Sequence, residues 1–300
     1  MLGSLAVQTA RDVRSTALAY FRLTKPRIVV LLLITTVPAM ILAKGGMPSP
    51  WLILATLLGG AVAAGGANAM NCYFDRDIDG MMLRTRGRPL PAGQIEPEKA
   101  VVFGIVLGGL GFLVLEAFVN LAAALLTLAA FAFYVLVYTL VLKRSTPLNI
   151  VIGGAAGAMP PLVGWAAVTG EVGAPALVLF GIVVLWTPPH FWALALNYSR
   201  DYERAGVPML PVVVGPEETK RHILLHAVAL VAVSLLLPLS GVTGAIYLTA
   251  ALVLGGLFIG YALRLWWDQS ARASAALFRY SIVYLGLLFA AVAVDGLVGK

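Results

Sequence analysis

The 300 residues include a single cysteine, Cys72. That excludes an intrachain disulfide and a multi-cysteine metal centre. Histidine is nearly as scarce, with only His190, His222 and His226, which argues against a zinc site. His222 and His226 lie on one helix face beside Lys220 and Arg221 and read as interfacial residues. Charge is thin as well. Asp, Glu, Lys and Arg make up 12% of the chain, against roughly 25% in an ordinary soluble domain, so a soluble globule is excluded. The ten-residue alternating pattern of a transmembrane barrel is missing. The phosphate-loop pattern G-x-x-x-x-G-K-[ST] is missing too, so the glycine runs "GGAVAAGGANA" and "GGAAGA" read as close helix packing. No cleavable signal peptide is expected, because no small-residue cleavage site follows a short apolar core.

What is abundant is apolar length. Hydrophobic residues make up 60% of the chain, and the mean hydropathy is +0.93. A helix needs about 20 apolar residues to cross a bilayer. Nine stretches qualify: 27–43, 51–72, 100–118, 120–142, 148–168, 174–196, 222–240, 244–266 and 277–297. The fold class is therefore all-α and integral to a membrane. Short connections predict one transmembrane domain over 27–300. Residues 1–26, ending near "YFRLTKPR", form a cytoplasmic or interfacial segment.

Lysine and arginine gather on the cytoplasmic side of membrane proteins. With nine spans and the N-terminus inside, nineteen of the 21 basic residues fall on that side, and only Lys44 and Lys300 fall outside. The net charge of +7 follows from this bias and calls for no nucleic-acid partner. The predicted location is a bacterial cytoplasmic (inner) membrane, crossed many times.

One stretch departs from the avoidance of charge. "NCYFDRDIDGMMLRTRGRP", residues 71–89, holds three aspartates and four arginines after an apolar run. Asn71, Asp75 and Asp79 are four apart, so a continuing helix drifts only about 40° per step and aligns them. Asp77 falls near the opposite face, beside Arg76. Carboxylates on one stripe repel each other, and near a membrane interior the cost grows. Two arrangements answer this. One is a salt-bridged loop with Arg84, Arg86 and Arg88. The other is a divalent ion such as Mg2+, which takes one or two carboxylates, waters and substrate phosphates. In the second, the arginines are left to hold phosphate oxygens.

A second stretch, "ALNYSRDYERAGVPMLP" at 195–211, repeats the pattern. Asn197 and Asp201 keep the Asn-x-x-x-Asp spacing, Arg200 and Arg204 lie beside them, and a proline-bearing loop follows in both places. The two elements are 126 positions apart and fall on the same predicted side. Facing each other across a cavity, they make a site for a diphosphate and its metal ions.

These residues resemble the UbiA-type intramembrane prenyltransferases, whose first motif is N-x-x-x-D-x-x-x-D. "RTRGRPLPAG", "TPPHFWALAL" and "DYERAGVPMLPVV" resemble the haem-prenylating branch of that family, and the likeness covers nearly the whole chain. It implies a nine-helix bundle and Mg2+ as cofactor. It implies farnesyl diphosphate and haem b as substrates, with farnesyl transfer to a haem vinyl group giving haem O. It implies that Asn71, Asp75, Asp79 and Asp201 are catalytic and hold the metal, and the repeated Asn-x-x-x-Asp spacing adds Asn197 to the metal ligands. Position 197 is Asn and 205 is Ala where the wider family has Asp-x-x-x-Asp. Haem A synthase or oxidase-assembly proteins are the partners implied. A quinone- or chlorophyll-precursor prenyltransferase is the nearest rival. A secondary transporter of an anionic solute is the rival from another class, though its polar residues should bracket the midplane.

Arg84, Arg88, Arg200, Arg204 and Lys25 are candidates for the diphosphate. His190 lies near mid-span after Pro188 and Pro189, which predict a broken helix. An intramembrane histidine is a functional candidate, here for haem, set against a histidine bonded to freed backbone. Lys143 and Arg144 are candidates to meet haem propionates or the diphosphate, but topology and lipid head groups explain them first. Tyr73, Phe74, Tyr134, Tyr138, Trp165, Trp186, Phe191, Trp192, Tyr198 and Tyr202 are candidates to face an allylic cation, although most aromatics at helical spacing are packing residues or interface anchors. Asp75→Ala or Asp79→Ala is expected to abolish turnover with little loss of folded protein.

Overall fold

The computed structural model describes residues 15–268 and 270–298. Arg11, Arg14 and Lys300 of the charge count lie outside the described residues. Among those described, nine helices are long and apolar enough to span a bilayer. They are α1 (Pro26–Lys44), α2 (Pro50–Phe74), α3 (Pro97–Phe118), α4 (Leu121–Ser145), α5 (Asn149–Thr169), α6 (Ala174–Asn197), α7 (Gly215–Leu239), α8 (Ala245–Trp267) and α9 (Ala271–Val298). Short helices follow α2 and α6, over Arg76–Met81 and Ser199–Arg204.

Local chemistry sets the ends. Proline opens α1, α2 and α3 in the first turn, where its missing N–H costs nothing. Ser49 caps α2 by accepting the Leu52 N–H at 3.2 Å. Asn120 caps α4 through the Ala123 N–H at 2.9 Å and donates to the Ala166 carbonyl at 2.8 Å, tying α4 to α5. α7 and α9 begin several residues before their apolar runs, at "GPEETKRH" and "ARASAA". Hydropathy marks the membrane crossing, and a helix need not stop where the hydrocarbon does.

The helices form two rings. In one, α1 to α5 pack in chain order and α5 closes back on α1. In the other, α6 to α9 pack in order and α9 closes on α6. Contacts of α5 with α6 and of α9 with α1 join them. Glycine makes the tightest seam: a Cβ on Gly66 would lie 2.6 Å from the Gly104 carbonyl oxygen, so α2 and α3 touch backbone to backbone. Large apolar side chains such as Leu58, Ile105 and Leu113 face outward, as expected where lipid is the solvent.

Two backbone features differ from simple helices, and one expected departure does not occur. α2 ends at Phe74, with Asp75 at φ −90°, ψ 0°, and a new short helix starts at Arg76. Within α4, Phe133–Leu142 winds as a π-helix, a form frequent at functional sites. The break expected before His190 is absent. α6 runs unbroken through Pro188 and Pro189, with the Thr187 hydroxyl donating to the Val183 carbonyl at 2.8 Å and α5, α7 and α9 packed around it.

Candidate active site

The kink at Asp75 keeps the acidic stripe in register, because the Asp75 N–H still donates to the Asn71 carbonyl and the Asp79 N–H to the Asp75 carbonyl. Asn71, Asp75 and Asp79 are all buried. Asp77 points the other way and stays exposed.

Each carboxylate has its own cation. The Lys143 ammonium lies 2.5 Å from Asp75 Oδ2. Arg88 Nη1 donates to both oxygens of Asp79, at 2.9 and 2.7 Å. Arg144 forks onto Asp77 with two contacts of 2.7 Å. That fork holds the Asp77 pKa down at about 2, against the opposing effect of partial burial. Burial works against the charge on Arg88, but the Asp79 carboxylate more than offsets it, and the Arg88 pKa is raised.

Asn71 orders the group. Its amide nitrogen donates to Asp75 Oδ2 at 2.8 Å and to the Thr139 hydroxyl at 3.0 Å. Its amide oxygen accepts from the Lys25 ammonium at 2.6 Å. Lys25 has a left-handed backbone, φ 50°, alone among the described non-glycine residues. Such strain clusters where a side chain must be aimed. The π-helical stretch brings Thr139 and Lys143 to this cluster from α4.

The second motif meets the first. Ile78 and Met82 pack with Tyr202, Val207 and Met209. Arg84 donates to the Tyr202 hydroxyl at 3.2 Å and lies over the Tyr198 ring. Burial raises the Tyr202 pKa. Asp201 is buried on this helix. Asn197 is not brought to the cluster. It is exposed and bonds α9, accepting from the Ser274 hydroxyl at 3.2 Å and donating to the Ala271 carbonyl. Arg200 and Arg204 are exposed.

From this rim an apolar cavity of about 470 Å³ runs between the rings. Arg84, Asn68, Tyr134, Tyr138, Trp186 and His190 are among its lining residues. Tyr134 and Tyr138 stack at 5.5 Å. Tyr138 fits because position 153 is glycine: a Cβ there would lie 2.2 Å from its ring. His190 bonds the Ser281 hydroxyl at 2.7 Å through Nδ1, so the reading of a histidine tied to freed backbone does not hold.

Thr139 and Ser281 carry no functional signal in the sequence, and Lys143 and Arg144 carry one weaker than topology; the structure makes partners of Lys143 with Asp75 and of Arg144 with Asp77. Lys143 and Thr139 contact residues 68 positions away, and periodicity within one helix carries no sign of that.

An all-helical membrane bundle with an acidic-basic rim over an apolar cavity is the architecture of an intramembrane transferase of charged, greasy substrates. The sequence profile of the UbiA prenyltransferase family matches residues 32–290. The chain belongs to the UbiA prenyltransferase family and is a multi-pass membrane protein. It is 55% identical over 291 residues to protoheme IX farnesyltransferase 1 of Saccharopolyspora erythraea, covering 95% of this chain and 92% of that one. It is 57% identical over 279 residues to protoheme IX farnesyltransferase of Gloeobacter violaceus, covering 93% and 92%. Two solved structures share the fold. One is from work on digeranylgeranylglyceryl phosphate synthase in membranes (TM-score 0.77, 20% identity, 94% and 98% covered). The other is a UbiA homolog from Archaeoglobus fulgidus bound to DMAPP and Mg2+ (TM-score 0.66, 21% identity, 92% and 99% covered).

Proposed function

We propose that this protein transfers the farnesyl group of farnesyl diphosphate to a vinyl group of haem b, making haem O. The observation that carries this is the meeting of buried carboxylates and paired cations at the mouth of an apolar cavity. The relatives' names supply the two substrates.

In this reading the diphosphate sits at the rim and the farnesyl chain lies in the cavity. Lys143, Arg88, Arg84 and Lys25 oppose the charge that builds on the diphosphate as its C–O bond breaks, where fixed charge is most effective. Tyr134 and Tyr138 face the allylic carbons and stabilise positive charge. The cavity's apolar walls keep water from the cation. A vinyl carbon of haem then forms the new C–C bond. Water adds hydroxyl to the carbon left positive and releases a proton.

Asp75 Oδ1 is buried with no hydrogen-bond partner. Among the described residues no three His, Cys, Asp or Glu side chains gather as a metal site, and Mg2+ needs only one or two carboxylates besides phosphate oxygens. Asp75 and Asp79 therefore fit Mg2+. Bound there, it would supply further neutralisation of the leaving diphosphate. Asn71 completes that set, its oxygen accepting from Lys25. Asp201, buried in the short helix Ser199–Arg204, is assigned to the second motif. Asn197, Arg200 and Arg204 remain assigned to the second motif by the repeat in the sequence.

The same reading puts the rim on the cytoplasmic side of a bacterial inner membrane. Residues 1–26, of which 1–14 lie outside the described residues, are then assigned to a cytoplasmic or interfacial segment and 27–300 to one transmembrane domain. Haem O would pass to haem A synthase or oxidase-assembly proteins. The test is purified protein with haem b and farnesyl diphosphate, with and without Mg2+, followed by mass spectrometry of the extracted haem. A Mg2+-dependent conversion of one vinyl group to a hydroxyethylfarnesyl group, a gain of farnesyl plus hydroxyl, is expected. Prenylation only of an aromatic acid or a chlorin would move the chain to another branch. No product with any acceptor would refute the reading.

A further inference from the structure

The Ser281 hydroxyl has one proton and two neighbours. It lies 2.6 Å from the Phe278 carbonyl oxygen and 2.7 Å from His190 Nδ1. A carbonyl cannot donate, and two bare oxygens do not rest at 2.6 Å, so the hydroxyl proton lies toward Phe278. The Ser281 oxygen must then accept from His190, and the proton of the neutral ring sits on Nδ1. That leaves a lone pair on Nε2.

Everything around the ring fixes its plane. It stacks on Trp186 at 4.2 Å and 17° and on Phe278 at 4.7 Å and 27°. Trp186 is pinned in turn by its indole N–H, which donates to the Ser281 carbonyl at 2.7 Å. Ser281 thus holds the histidine with its side chain and the tryptophan with its backbone, and it is itself fully buried. Among the described residues the ring's single hydrogen bond is the one at Nδ1. His190 lines the cavity.

We propose that Ser281 is a positioning residue. It locks His190 as the Nδ1–H tautomer, so that Nε2 presents its lone pair to the cavity as a ligand for the iron of the acceptor haem. Histidines that bind metal are commonly oriented by a hydrogen bond at the other ring nitrogen. The serine acts here by having its own proton committed elsewhere. This inference rests on the haem reading above.

Two measurements separate the two claims. The first is 15N NMR of histidine-labelled wild-type protein without haem, with His190 assigned by loss of its signals in His190→Gln. It should show Nδ1 protonated and Nε2 bare, and an Nε2–H ring would overturn the proposal. The second is titration of ferric haem b into wild type, Ser281→Ala, Ser281→Thr and His190→Ala, read by the Soret band and electron paramagnetic resonance. Wild type should show a nitrogen axial ligand. His190→Ala should lose it, and Ser281→Ala should weaken haem binding by about 10- to 100-fold. Ser281→Thr, which keeps the acceptor, should restore it. Unchanged affinity and ligand signature in Ser281→Ala would sink the proposal and leave the haem reading standing. No haem binding by wild type would sink both.

Discussion

Lys143 and Asp75 form the most enclosed ion pair of the rim, with side chains only 13% and 1% exposed at 2.5 Å. Replacing Lys143 by Met removes the cation and strands the carboxylate. The bond from Asn71 to Oδ2 remains, but Oδ1 has no partner. Breaking a buried pair from one side costs about 3–5 kcal/mol, and Lys143→Met should lose stability of that order. Asp75→Asn strands the ammonium instead and should cost a similar amount. The double variant leaves no unpaired charge, so its loss should fall short of the sum of the two by roughly 2 kcal/mol. Graded SDS unfolding in mixed micelles, followed by circular dichroism, measures this cycle. Losses that add within about 0.5 kcal/mol would refute the pairing. Turnover should stay absent in the double variant although its fold recovers. The burial also revises what sequence suggests for Asp75→Ala: its loss of turnover should come with a measurable loss of folded protein.

The exposed pair should behave differently. Asp77→Asn should keep turnover and change stability by less than about 1 kcal/mol, because Asp77 and Arg144 are screened by solvent. The lowered Asp77 pKa means that this small contribution is present above about pH 4 and fades as pH falls from the ordinary value of 3.8 toward about 2; the stability difference between wild type and Asp77→Asn, followed over that window, reads it. Gly66→Ala should cost about 1–3 kcal/mol in the same unfolding assay, since the new Cβ meets the Gly104 backbone and neither helix has a flexible atom to yield. Gly153→Ala should leave helix content intact but cut farnesyl transfer at least tenfold by displacing the Tyr138 ring, and equal turnover would remove Tyr138 from the cation's surroundings.

The nine crossings were legible because lipid forces an apolar run of fixed length on each helix. The buried stripe of Asn71, Asp75 and Asp79, with Asp77 opposite, was legible because helical spacing is a local property. The kink at Asp75 leaves that spacing almost untouched, which is why a continuous helix was a fair reading of it. The partners were not legible. Lys143 looks like any basic residue at the end of a span, and Ser281 like any small residue within one. Their roles come from helices brought together across the bundle. Asn197 shows the converse: it repeats the motif in sequence, yet its side chain turns to α9.

The π-helical stretch of α4 makes the rim sensitive to counting. An α-helix turns about 100° per residue, and a wider turn takes up extra chain for the same rise. Thr139 within that segment and Lys143 directly after it reach Asn71 and Asp75. Deleting one residue from the stretch would leave its composition and hydropathy almost unaltered. It would still swing everything beyond the deletion by about 100° relative to α2 and carry the ammonium away from its carboxylate. Between α4 and the acidic stripe, the number of residues is a constraint in its own right, separate from which residues they are.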